Sequence, residues 1–167
     1  MSVSCAASLR NRFCNNEFWI RLFVVYGLGL RIFHYGRNPS MWHDEGALVM
    51  NALDKDYGAL SGPLRFDEAA PPLFLWRERS IYLVLGDSTF ALRLMPLLAS
   101  CMTLLLLTWL SRRILYAEAV PYAVLLVACS DRLLWHTCEA KPYSLDVFVA
   151  ALLLTLYCGL TDRPASN

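Results

Sequence analysis

Two short stretches concentrate the groups that carry acid–base and anion chemistry. Trp42-His43-Asp44-Glu45-Gly46 sets two adjacent carboxylates beside an imidazole and an indole. Glu139-Ala140-Lys141-Pro142-Tyr143 gathers a carboxylate, an ammonium and a phenol in one turn. A carboxylate can take the proton of an attacking hydroxyl as a general base, and a cation can hold a phosphate. Arg93, in Ala91-Leu92-Arg93-Leu94-Met95-Pro96, is the best single cation for a phosphate contact. Each group also has an ordinary reading. Asp44 and Glu45 suit the first turn of a helix, where acids meet the positive end of its dipole. Glu139, Lys141 and Tyr143 suit headgroup contacts at a membrane surface, and Arg93 can snorkel to headgroups from near the end of a span.

The remaining reactive side chains form no pattern. His34, His43 and His136 are not spaced as a metal set, and none of the six cysteines forms a C-x-x-C pair. No metal site is expected. Cys101, Cys129 and Cys158 lie in apolar runs and read as small packing residues. Asp54, Asp56, Asp67 and Asp87 read as solvated loop acids. Trp42, Trp76 and Trp135 fall where an interfacial aromatic belt would.

The elements that must position these groups are membrane elements. The 167-residue chain is 57% hydrophobic and 17% charged, where a soluble domain has nearer 50% apolar and about 25% charged residues. Its mean hydropathy is +0.41. Fifteen Lys/Arg against fourteen Asp/Glu leave a formal charge of +1. That balance excludes a basic nucleic-acid binder and a disordered chain. At about 20 residues per span, the length holds about four crossings and one sizeable loop.

The apolar runs place those crossings at about 18–36, 92–111, 116–134 and 142–160. Arg21 and Arg31 fall near the two ends of the first, within reach of headgroups. No cleavage site follows that run, so it reads as an uncleaved span rather than a signal peptide. Between spans one and two, segment 37–89 carries eight acids against five bases and is punctuated by Gly58, Gly62, Pro63, Pro71 and Pro72. Within it, Asp44–Leu53 and Pro72–Leu85 read as short helices lying along the membrane surface. Arg10, Arg12, Arg112, Arg113 and Arg163 all fall on one side of a four-span path. That side is cytoplasmic by the positive-inside rule, so the loop 37–91 and the turn around Glu139 face outward together. The expected fold is thus all-α: a single polytopic membrane domain over 1–167, N-terminus inside, with an outer loop carrying short juxtamembrane helices.

The succession Trp42-His43-Asp44-Glu45, Ala70-Pro71-Pro72-Leu73, Gly86-Asp87-Ser88, Arg93-Leu94-Met95-Pro96 and Glu139-Ala140-Lys141-Pro142-Tyr143 resembles the N-terminal part of bacterial polyprenyl-phosphate-dependent glycosyltransferases. These are the membrane enzymes of GT-C architecture related to dolichyl-phosphate-mannose protein mannosyltransferases and to the lipid A aminoarabinose transferase. The resemblance covers about residues 18 to 160. It implies an incomplete GT-C fold in the inner (plasma) membrane, with Asp44 as catalytic base and Glu45 completing the loop motif. It also implies that Arg93, Glu139, Lys141 and Tyr143 bind substrate. The donor would be a sugar on a polyprenyl phosphate, transferred with inversion to an acceptor hydroxyl or lipid, with no cofactor and no metal. Membrane lipid and that lipid-linked sugar would be the partners, and nucleic acid would not.

This chain departs from the pattern in several places. Lys141 stands where arginine is commoner, and Ala70 where histidine or asparagine often precedes the two prolines. Asp131 stands where a proline is expected after Ser130. Family members carry many further spans, so the resemblance implies a truncated copy whose C-terminal half is missing. The alternative is a non-catalytic four-span accessory or structural protein.

Overall fold

The computed structural model describes residues 3–161, with side chains from Asn15 onward. Arg163 and the side chains of Arg10 and Arg12, part of the charge bias, lie outside this description. Among the described residues every regular element is helical and no strand occurs.

The first helix, α1 (Val3–Arg37), covers residues 18–36 of the expected first crossing without a break, but it is not among the described helices apolar enough to cross a membrane. It ends where Asn38 takes a left-handed conformation at φ 42° and donates its backbone N–H to Tyr35 O at 3.1 Å. Asparagine tolerates this geometry, and Pro39 behind it cannot continue the helix.

Two helices follow within a residue of the expected loop helices. The first is α2 (His43–Asp54), with Asp44 and Glu45 in its first turn. The second, α3 (Pro72–Leu85), starts on a proline at its first position. It stops at Gly86, whose φ of 85° favours glycine. Between them, Asn51 clasps the connecting turn: its Nδ2 donates to Ala47 O and Arg65 O, and its Oδ1 accepts the Arg65 N–H. Leu48, Leu60, Phe74 and Leu75 form the apolar core of this unit.

Helices α4 (Thr89–Ile114) and α7 (Tyr143–Thr161) are long and apolar enough to cross a membrane. At 1.5 Å per residue they extend about 39 Å and about 28 Å, against a hydrocarbon core of about 30 Å. The run 116–134 behaves differently from the expected third crossing. It is divided into α5 (Val120–Ala128) and α6 (Asp131–Trp135), followed by a 3-10 turn at His136–Cys138. Nine residues of α5 rise only about 13 Å, so no continuous helix spans this segment.

The break is held together by an arginine of α1. Arg31 is not directed to headgroups as its position suggested; it is fully buried. Its guanidinium donates to Val127 O and Ala128 O at 3.3 Å each, to Gly27 O at 3.0 Å and to Ser100 Oγ at 3.0 Å. Carbonyls left open at the end of α5 are costly in an apolar setting, and these donors satisfy two of them. Thr137 extends the network by donating to Ser100 Oγ at 2.8 Å.

Contacts along the helices give their directions. Glu17 meets Arg112 while Arg31 meets Ser100, so α1 and α4 are antiparallel. Asn16 meets Ala117, Ile20 packs with Val120 and Val124, and Arg31 reaches Ala128, so α1 and α5 run the same way.

Close approach of α1 to α5 depends on Gly27. A Cβ there would lie 2.8 Å from Ala128 Cβ, 2.9 Å from Leu104 Cδ2 and 3.1 Å from Ala128 Cα. Gly27→Ala should therefore destabilise the bundle by about 1–3 kcal/mol through overpacking. Gly29→Ala, where a Cβ meets nothing within 4 Å, should be neutral or mildly stabilising. Thermal unfolding of both variants in one detergent tests the pair; equal melting temperatures would show that α1 and α5 are not in this contact.

Candidate functional site

The site is assembled around one ion pair. Arg93 donates from Nε to Glu45 Oε1 at 2.8 Å and from Nη2 to Glu45 Oε2 at 2.7 Å. The two side chains are 1% and 0% exposed. Arg93 Nη1 also donates to Asn38 Oδ1 at 2.9 Å and Pro39 O at 2.6 Å. Four of its five N–H groups are thereby committed to protein acceptors. Glu45 Oε1 accepts a further bond from the Ala140 backbone N–H at 2.8 Å. The pair joins the end of α1, the start of α2, the second turn of α4 and the turn before α7.

This geometry changes the roles read from the sequence. Glu45 was expected beside Asp44 as a catalytic group, and Arg93 as a substrate contact. Neither faces solvent, and both carboxylate oxygens of Glu45 are occupied. Arg93 and Glu45 hold the site in place rather than reach into it.

Their effect on the neighbouring residues is direct. Because Glu45 is bonded to Ala140, Asp44 is brought beside Lys141: Lys141 Nζ lies 3.6 Å from Asp44 Oδ2. The Asp44 side chain is 70% exposed and Lys141 only 12%. Two stretches far apart in the chain thus present an open carboxylate over a largely buried ammonium. Lys141 also stands 5.9 Å from the centre of the Tyr143 ring.

Glu139 is bonded within the same turn. It accepts from Trp135 Nε1 at 2.7 Å and pairs with His136 Nδ1 at 2.6 Å. His136 in turn lies 4.7 Å from the Tyr143 ring, and Trp42 meets Trp135 edge-on at 5.7 Å. All six expected site residues therefore lie in one neighbourhood, with Asp44 and Tyr143 forming its accessible part. Sequence reasoning set Trp42 beside Asp44 but missed Trp135 and His136 as members of this cluster. The signal available was proximity along the chain, since each lies within four residues of Glu139.

A second buried acid borders the site. Glu78 is 1% exposed. Its Oε1 pairs with Arg77 Nη2, while its Oε2 and the Nε and Nη1 of Arg77 meet no partner among the described residues. The Arg77 guanidinium lies 4.6 Å from the centre of the Phe74 ring. Burial raises the Glu78 carboxyl to about 7, opposed by the Arg77 charge and hydrogen bond and reinforced by the charge of Glu45. Burial also pushes the Cys138 thiol up to about 11, which leaves it protonated and unreactive at neutral pH. Among the described residues, no three His, Cys, Asp or Glu side chains converge as metal ligands would. Comparison with family models, with curated proteins and with solved structures finds no match to this chain.

Two measurements follow from the buried charges. Arg93→Ala and Glu45→Ala should each cost about 3–5 kcal/mol, because each leaves the other ion buried alone. The double substitution should cost clearly less than the sum, and additive losses in thermal unfolding would show that the two do not interact. The folded pKa of Glu78 lies above its unfolded value, so the stability it contributes is complete below about pH 4.5 and lost as pH rises through about 7. Unfolding of the wild type across that window should lose up to about 3 kcal/mol, and Glu78→Gln should remove this pH dependence.

Proposed function

We propose that this chain handles a polyprenyl-phosphate-linked sugar at the outer membrane face, as the N-terminal part of a GT-C type glycosyltransferase. The observation that carries the reading is the junction of Asp44 with Lys141 at 3.6 Å. The five motifs resembling that family include both residues, and the reading requires them to share one lipid headgroup. In this reading α1, α4, the broken α5–α6 segment and α7 form four passes with the N-terminus inside. The antiparallel pairing of α1 with α4, and the shared direction of α1 and α5, support that path. The outer loop then carries α2 and α3 along the surface.

An isoprenoid donor cannot leave the bilayer, so its headgroup must be met at the interface. Asp44 takes the proton of the acceptor hydroxyl as the oxygen attacks the anomeric carbon from the face opposite the phosphate. The bond between that carbon and the phosphate oxygen breaks, and its electron pair leaves with the lipid phosphate. Lys141 offsets the charge that collects there. Glu139 and Tyr143 line the headgroup space, while Glu45 and Arg93 act as positioning residues. The full burial of Glu45 and Arg93 equally suits the second reading, a non-catalytic four-span accessory protein.

The test is made on the full chain in lipid nanodiscs with a photoreactive, labelled polyprenyl-phosphate sugar. Donor should crosslink to the loop 37–91 and to the Lys141 turn, and Lys141→Ala should weaken capture. Where transfer to an acceptor is measurable, Asp44→Asn should reduce it by about 10²–10⁴-fold while leaving capture intact. Undiminished transfer removes Asp44 from the mechanism, and no capture at all selects the accessory reading.

A further inference from the structure

At the other end of α4 a second recess has a different character. Arg112 lies 19 positions beyond Arg93, about 28 Å along the helix, close to the thickness of a bilayer core of about 30 Å. Here α1 and α4 flank a groove of about 350 Å³, within the size range of ligand clefts, about 300–1,000 Å³. Its lining follows helical spacing on both sides. Helix α1 supplies Arg21 with Val24 and Val25, and α4 supplies Leu105, Thr108 and Trp109 with Arg112. The antiparallel packing brings the two arginines to the same end and leaves valine and leucine at the other. The recess therefore has the shape of an amphiphile: a charged mouth and an apolar trough.

The charge at the mouth is specific. Arg112 pairs with Glu17 at 2.9 Å, both about half exposed. Arg21, one helical turn from Glu17 on α1, is exposed and meets no acceptor among the described residues. Among the arginines that line the groove, two guanidiniums against the Glu17 carboxylate leave a single positive charge to be met. Arg113, whose guanidinium lies 5.0 Å from the centre of the Trp109 ring, borders the same end. A zwitterionic phospholipid brings its own ammonium and leaves that charge uncompensated, whereas a lipid whose phosphodiester is its only charge matches it. Basic recesses between membrane helices are recognised hosts for anionic lipid headgroups.

We infer that the α1–α4 groove is a binding site for one anionic phospholipid, its phosphodiester held between Arg21 and Arg112 and one acyl chain laid along Val24, Val25 and Leu105. The site is separate from the Asp44–Lys141 cluster and independent of the transferase reading.

The experiment is a lipid titration of the detergent-purified full chain followed by native mass spectrometry. The probes are phosphatidylglycerol, phosphatidylcholine of the same acyl chains, and a polyprenyl monophosphate. Wild type should retain one phosphatidylglycerol in preference to phosphatidylcholine by about tenfold or more, and Arg21→Gln and Arg112→Gln should each reduce the preference about fivefold. Arg21→Lys should keep most of it. Leu105→Trp leaves both arginines in place but fills the trough, and it should abolish retention. Arg37→Gln, an exposed cation at the far end of α1, should change nothing. Equal retention of the two phospholipids by wild type, or a preference that survives loss of both arginines, would overturn the site. Stronger retention of the polyprenyl monophosphate at this groove would overturn the phosphodiester assignment.

Discussion

A water-excluded ion pair, Arg93 with Glu45, sets the arrangement on which the candidate site depends. Removing two charges from water is expensive, and the attraction between them compensates only when the remaining donors and acceptors are also met. Here they are met by Asn38, Pro39 and the Ala140 amide. The hydrogen bonds thus tie four segments to one another in a single register. With Glu45 fixed to Ala140, the residues on either side of that bond also come together, Lys141 Nζ lying 3.6 Å from Asp44 Oδ2. The accessible chemistry is a by-product of the buried contact beneath it.

Local signals account well for the helix ends and poorly for events that need a distant partner. Pro39, Pro72 and Gly86 mark where α1 stops, where α3 begins and where it ends, and each acts through its own backbone. The break after α5 is different. Residues 116–134 read as one apolar run because a hydropathy window cannot register a guanidinium from another helix. Arg31 lies 97 positions from Ala128 along the chain, yet it supplies the hydrogen bonds that let the helix end there. A local hint did exist: Ser130 followed by Asp131 is a common way to open a new helix. It was outweighed by the apolar residues around it.

The candidate site shows the same division. Residue types and their order made Asp44, Glu45, Arg93, Glu139, Lys141 and Tyr143 legible as a group. Their exposures were not legible. Adjacent residues on a helix point about 100° apart, so Asp44 and Glu45 cannot share a direction. Which of them turns inward is decided by Arg93, 48 positions away. The tryptophans were read singly, as belt residues, because nothing in the spacing of Trp42 and Trp135 announces that their rings meet.

The termination of α5 by Arg31 also bears on biogenesis. A nine-residue helix whose final carbonyls are met by another segment has little stability of its own. It acquires that stability only once α1 is already beside it. Synthesis from the N-terminus delivers α1 and its arginine first, so the short helix can settle against a waiting donor as it is made. Replacing Arg31 would then be felt during synthesis, before any folded bundle exists to be measured.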